Sequence, residues 1–183
     1  PCWEVGCASL SILVKTVMNI KLRAPEPEDL DILYLIENDT ILWNVGTTNV
    51  PYSRYTLHDY IARASNDIYT DKQVRMMAEN EAGEVVGIVD LVNFDPQHQR
   101  AELGIVIMND HRRKGYATAA VEEILHYAQR ILHLHQLYVI VDQQNTAAMQ
   151  LFKKTGFKES ATLEQWIYDG KKYRDALLLQ RFL

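Results

Sequence analysis

At 183 residues the chain suits one domain with room for a sizeable core, and a composition 48% hydrophobic and 23% charged reads as globular and soluble. A net charge of -5 argues against a simple basic nucleic-acid binder. Cys2 and Cys7 are too few for a disulfide framework or a metal site, so a reducing cytoplasm is the expected compartment.

Residues 1–17 carry an apolar run, Ala8 to Val14, too short to span a bilayer and with no basic segment before it, so no membrane partner is expected. A more regular pattern begins at Met18. Residues 1–17 are therefore expected to be an N-terminal extension and 18–183 the functional domain.

Ile20 and Leu22 alternate with polar neighbours, as in a short strand. Pro27, Glu28 and Asp29 suit the first turn of a helix, with Leu30, Leu33 and Tyr34 as its stripe and Ile32, Leu35 and Ile36 widening it. After the loop WNVGTTNVPYSRY, Thr56 can cap a second helix running to about Tyr69, with Leu57, Tyr60, Ile61 and Ala64 inward. Strands are expected at Val74–Glu79 and Val85–Val92, turned at Gly83, and at Glu102–Met108. The best helical pattern spans Lys114–Leu132, with Ala117, Ala120, Val121, Ile124, Leu125, Ala128 and Leu132 on one stripe. LYVIV, Leu137–Val141, reads as a strand buried on both faces. Asn145 can cap a helix that Gly156 ends, and two strands around Asp169–Lys172 close the chain. The order β-α-α-β-β-β-α-β-α-β-β predicts a mixed α/β fold with at least one right-handed crossover.

The stretch NDHRRKGYATAA, Asn109 to Ala120, brings Arg112, Arg113, Lys114 and Gly115 to the mouth of the best helix. Free N–H groups, a partial positive charge and close backbone approach at glycine suit a phosphate. The stretch lacks the Gly-Lys-Ser/Thr ending of a P-loop and the three glycines of a dinucleotide fingerprint. From these residues alone an anion cradle and an ordinary basic turn stand about equal.

The pattern R-x-x-G-x-A at Arg112, Gly115 and Ala117 resembles the acetyl-CoA pyrophosphate loop of the GNAT superfamily of N-acetyltransferases. LYVIVDQQNTAAMQLFKKTGF, Leu137–Phe157, is similar to that superfamily's strand, asparagine-capped helix and G-F ending, and AELGIVI, Ala101–Ile107, to the strand before the loop. The resemblance covers most of 18–183. Within the superfamily it leans toward the branch of spermidine and ribosomal-protein N-terminal acetyltransferases.

This resemblance implies an acetyl-CoA N-acyltransferase fold: a mixed central sheet splayed at the strands either side of the helix Lys114–Leu132. It implies acetyl-CoA as cosubstrate. The pantetheine arm would bond the backbone of Ile105, Val106 and Ile107. Arg112, Arg113, Lys114, Gly115, Tyr116, Ala117 and Thr118 would hold the pyrophosphate, with Asn145, Phe152 and Lys154 near the cofactor. The acceptor would be the primary amine of a small molecule or polyamine such as spermidine, attacked in a ternary complex. A protein N-terminus or an aminoglycoside is the alternative acceptor, and an acyl-CoA-binding module with little catalysis the alternative class. A homo-oligomer fits the same resemblance.

A primary ammonium, with a pKa of about 10.4, must lose a proton before it attacks. Glu102, a carboxylate on the strand before the loop, is the leading base candidate. Many relatives place a tyrosine where this chain has Phe152, as the acid for the departing thiolate, and phenylalanine has no proton to give. Either no side chain serves, another tyrosine such as Tyr138 or Tyr116 reaches in, or activity is altered. Glu37, Asp39 and Trp43 are candidates to line the amine pocket, and Tyr52 to shape an aromatic wall. The loop WNVGTTNVPY carries none of the acidic residues expected there for a polyamine. His133 and His135 have no clustered partners in the sequence, so no metal is expected.

Overall fold

The computed structural model describes residues 18–40, 50–65 and 67–183. In chain order these form β1 (Ile20–Arg23), a 3-10 turn (Pro27–Asp29), α1 (Leu30–Glu37), α2 (Arg54–Arg63), α3 (Ile68–Asp71), β2 (Val74–Asn80) and β3 (Val85–Asp95). They continue through β4 (Arg100–Ile107), a second 3-10 turn (Asn109–His111), α4 (Tyr116–Arg130), β5 (Gln136–Asp142), α5 (Thr146–Lys154), β6 (Lys158–Tyr168) and β7 (Tyr173–Phe182). The seven strands make one sheet in the order β1-β2-β3-β4-β5-β7-β6. Every neighbouring pair is antiparallel except β4 and β5, which α4 connects as a parallel crossover.

Side-chain alternation divides the sheet into two faces. On one, α4 buries Ala120, Val121, Ile124, Leu125 and Ala128 against Val89, Ala101, Leu103, Leu137 and Val139. The small Ala120 and Ala128 let the helix lie close to the strands. On the other face, α1 and α2 bring Leu33, Ile36 and Leu57 onto Met77 and Ile88.

The elements follow the sequence expectation, with four differences. Ser53 rather than Thr56 caps α2: its hydroxyl oxygen accepts from the Thr56 N–H at 3.0 Å, which makes Thr56 the third helical residue. That helix stops at Arg63, because Ala64 turns to ψ 118°, and a separate turn of helix follows. Leu35 is 63% exposed, on the opposite side of α1 from Leu33 and Ile36. Finally, β5 is buried on one face only: Leu137, Val139 and Val141 point into the α4 core, whereas Tyr138 and Ile140 are half-buried on the other side. Neither α1 nor α2 packs its core over that part of the sheet.

Candidate active site

The parallel pairing of β4 with β5 is short. It joins Arg100 to Gln136, Ala101 to Leu137 and Glu102 to Tyr138, and ends there, although β4 runs on to Ile107 and β5 to Asp142. Beyond Glu102, β4 stays paired only with β3. The Met108 N–H donates to the Val86 carbonyl at 2.9 Å, so alternation makes Ile88–Val106 the next hydrogen-bonded pair. The backbone of Ile105 and Ile107 then faces the gap, while that of Val106 is spent on β3. A Cβ placed on Gly87 would strike the Val106 carbonyl, as that direction requires. Of the three residues expected along a pantetheine arm, two therefore offer main-chain groups to the gap, and Val106 does not. The Val106 side chain instead packs on the α1–α2 core.

At the open end of β4 stands the basic loop. Arg113 (φ 60°) and Gly115 (φ 95°) are both left-handed, a conformation glycine adopts without strain. Gly115 is the N-cap of α4 and makes no side-chain cap; the first intrahelical bond runs from the Ala119 N–H to the Gly115 carbonyl. The N–H groups of Tyr116, Ala117 and Thr118 are thus left for an outside acceptor. The first turn holds no acidic side chain, and Arg112, Arg113 and Lys114 are exposed beside it. Geometry and charge there suit an anion. Arg112 does a second job: its Nε donates to the Ile107 carbonyl at 2.9 Å. The Tyr116 ring meets His111 edge-on, 6.0 Å between centroids.

At the closed end, Glu102 sits on the last paired rung. Asn93 Nδ2 donates to Glu102 Oε2 at 2.8 Å. Asn93 is left-handed (φ 52°), within the irregularity of β3 between Val92 and Asp95, which turns its amide toward β4. Tyr138 faces Glu102 across this rung, and burial first, then the Glu102 charge, push its pKa above the ordinary tyrosine value. Asn93 went unnoticed in the sequence. Its signal was an asparagine at a strand end just before Asp95-Pro96, where left-handed backbone is common.

Glu37, expected at the acceptor pocket, pairs with Arg75, which also forks onto Asp90 through Nε and Nη2, both at 2.8 Å. The guanidinium lies 5.9 Å from the Tyr60 ring centroid. Burial opposes the charge of Arg75, but Asp90 and Glu37 outweigh it and raise its pKa. Asp39 follows the end of α1 and is half-buried. Trp43 lies outside the described residues. Tyr52 packs on the α1–α2 core, and its backbone is held at both ends by the Asn38 side chain. A cleft of about 270 Å³ beside α2, lined by Tyr60, Arg63, Asp71 and Arg75 among others, includes no residue of β4 or β5.

Asn145 caps α5 as expected, its Oδ1 accepting from the Ala148 N–H at 3.1 Å. Lys154 is exposed at the other end of that helix. Phe152 is 4% exposed and stacks edge-on with Phe157 at 5.3 Å. Among the described residues no three His, Cys, Asp or Glu gather as a metal site, and no helix is long and apolar enough to cross a membrane.

A sheet parted beside an anion-binding helix mouth, with a carboxylate where the strands rejoin, defines an acyl-transferase architecture. The acetyltransferase (GNAT) domain signature matches residues 19–158, and the chain belongs to that family. It is 31% identical over 160 residues to the spermidine N(1)-acetyltransferase of Escherichia coli K12, an alignment covering 87% of this chain and 83% of the relative. It is 26% identical to a putative ribosomal N-acetyltransferase of Bacillus subtilis, over 86% and 87% of the two chains. The crystal structure of the Vibrio cholerae spermidine N-acetyltransferase in complex with CoA and spermine superposes with a TM-score of 0.78. It is 27% identical, and the match covers 90% of this chain and 95% of that one.

Proposed function

We propose that the chain transfers the acetyl group of acetyl-CoA to a primary amine of a polyamine such as spermidine. The observation that carries this reading is the parting of β4 from β5 beyond Glu102–Tyr138, with the uncapped N-terminus of α4 at its mouth. The pyrophosphate sits on the amides of Tyr116, Ala117 and Thr118, flanked by Arg113 and Lys114. The pantetheine arm follows the backbone of Ile105 and Ile107 into the gap, in place of the missing β5 pairing. From Ile107 to Glu102 is five residues, about 17 Å of strand, which carries the thioester toward the closed end.

There a free N–H on the parted strand polarises the thioester carbonyl, an electrostatic contribution that grows as the oxygen gains charge. Glu102 takes a proton from the amine as nitrogen attacks. A polyamine is favoured by the relatives named above and by the acidic overall charge of the chain. A homo-oligomer is proposed on the same basis, since a structure of the Vibrio cholerae enzyme is described as dodecameric.

The test is a thiol-release assay with acetyl-CoA over polyamines, amino acids, peptides and aminoglycosides, alongside thermal shift with acetyl-CoA. Turnover fastest with spermidine or spermine supports the reading. Faster turnover with a peptide N-terminus or an aminoglycoside replaces the acceptor. A cofactor that stabilises the fold while every amine fails leaves an acyl-CoA-binding module.

A further inference from the structure

Acetyl transfer as proposed leaves one role unfilled. A proton must reach the departing thiolate, and Phe152, buried against Phe157, has none to give. Resting on the acetyl-transfer reading, we infer that Tyr138 is the acid and that Glu102, its partner on the last rung, recharges it, with Asn93 fixing the Glu102 carboxylate. Tyr138 occupies the last rung at which β5 still pairs with β4, on the same face as Glu102. It is therefore the first β5 side chain met on that face at the closed end of the gap, where the thioester is delivered. Among the described residues, the α1–α2 core does not extend over it.

The chemistry explains why the tyrosine needs the carboxylate. Burial and the Glu102 charge raise the Tyr138 hydroxyl above about 10, so alone it is a poor acid toward a thiolate whose conjugate thiol has a pKa of about 8.5. Once Glu102 has taken the proton of the attacking amine it is a carboxylic acid, and carboxylic acids as a class are far stronger acids than thiols. Proton movement from Glu102 to the Tyr138 oxygen, as the Tyr138 proton moves to sulfur, then runs downhill from carboxylic acid to thiolate.

The step balances. The ammonium first gives one proton to water. The amine nitrogen then forms its bond to the carbonyl carbon and passes a second proton to Glu102. The C–S bond breaks, its electron pair stays on sulfur, and sulfur takes the Tyr138 proton, which Glu102 replaces. Amide, CoA thiol and the original charge states of both side chains are left. The other groups facing Tyr138 are Arg100 on β4, whose charge lowers its pKa, and neutral Gln180 on β7, its register partner, which donates to Gln136 at 2.7 Å. Asn93 is a positioning residue. Its left-handed backbone aims the amide that fixes the Glu102 carboxylate.

The experiment compares Tyr138→Phe with the unaltered protein on two donors: acetyl-CoA, and an acetyl ester of an arylthiol, whose thiolate leaves without a proton. The acceptor is spermidine or, if spermidine fails, the best amine of the panel. In that case the polyamine reading falls while this comparison still stands. Expected is a kcat lower by about 10²-fold with acetyl-CoA, an unchanged KM for acetyl-CoA, an unchanged melting temperature, and a deficit below about threefold with the aryl ester. Asn93→Ala is expected to lower kcat by about tenfold with both donors, leaving both KM values in place, because it loosens the base rather than removing the acid. Equal deficits with the two donors in Tyr138→Phe, or no deficit with acetyl-CoA, overturn the inference. Should Tyr138→Phe lose its fold, a rate in the unaltered protein that does not respond to leaving-thiol pKa across a series of aryl and alkyl thioesters supports the acid, and a steep response overturns it. An absence of transfer to any amine overturns both the inference and the reading beneath it.

Discussion

The two halves of the site are built from different materials. The proposed donor half, from Ile105 to Thr118, offers main-chain groups: the backbone of a parted strand and three uncapped amides behind a left-handed glycine. The proposed acceptor half would rely on side chains brought together from far apart in sequence. Glu37, Arg75 and Asp90 make one cluster; Asn93, Glu102 and Tyr138 make the other. A main-chain site tolerates changes of side chain but not of backbone conformation. A side-chain site has the opposite sensitivity, so substitution separates the two.

The largest expected effect lies in the acceptor half. Arg75→Met leaves the carboxylates of Glu37 and Asp90 facing each other without their cation. Breaking a buried ion pair costs about 3–5 kcal/mol, and because Arg75 and Asp90 keep about a fifth of their side-chain surface exposed, a loss near ~2–3 kcal/mol is expected by urea unfolding. A loss below ~1 kcal/mol would mean the cluster contributes little to the fold. Next comes Glu102→Gln, which keeps shape and removes the base. It should lower kcat by about 10²-fold while the acetyl-CoA dissociation constant stays put, as steady-state kinetics and calorimetry can read together. An unchanged rate and pH profile would remove Glu102 from the chemistry.

In the donor half, Gly115→Ala should cost ~1–2 kcal/mol through left-handed strain, and the added Cβ would also touch the Met18 side chain at 3.4 Å. The expected readout is acetyl-CoA binding weakened by about tenfold, with kcat at saturation nearly intact. If kcat fell and affinity held, the division between the halves would be wrong. Asn145→Ala removes the cap of α5 and should cost ~1 kcal/mol in melting experiments, with little change in turnover.

The smallest effect concerns acid. Burial would raise the Asp29 carboxyl, but two hydrogen bonds from Arg23, at 2.7 and 3.0 Å, and one from the Glu26 N–H hold it below its usual value. A depressed carboxylate gives stability that is present above its unfolded pKa of about 3.9 and is lost as pH falls through the lower folded value. Stability should decline from about pH 4 downward, and Arg23→Met should flatten that decline.

Sequence reasoning could propose the donor half because its requirements leave local marks. A glycine at a helix mouth, flanking cations, small residues on the helix and a β-rich run before it all fall between Ala101 and Ala120. It placed α4 and the cap at Asn145 for the same reason. It could not reach Arg75–Asp90 or Asn93–Glu102, because strand register decides which side chains meet, and register is written in no short stretch. At α2, Ser53 and Thr56 are both able caps, and only packing chose Ser53. On β5, five apolar or aromatic residues in a row concealed that Tyr138 and Ile140 look outward.

One contact in the donor half reaches beyond chemistry. Through its Nε, Arg112 ties the phosphate loop to the carbonyl of Ile107, the last residue of β4. On the proposed reading, that hydrogen bond would link grip to track, so a shift of the loop would be passed to the end of the strand. A loop displaced by an incorrect anion would drag the end of the strand with it, so that poor seating at the mouth is felt along the track.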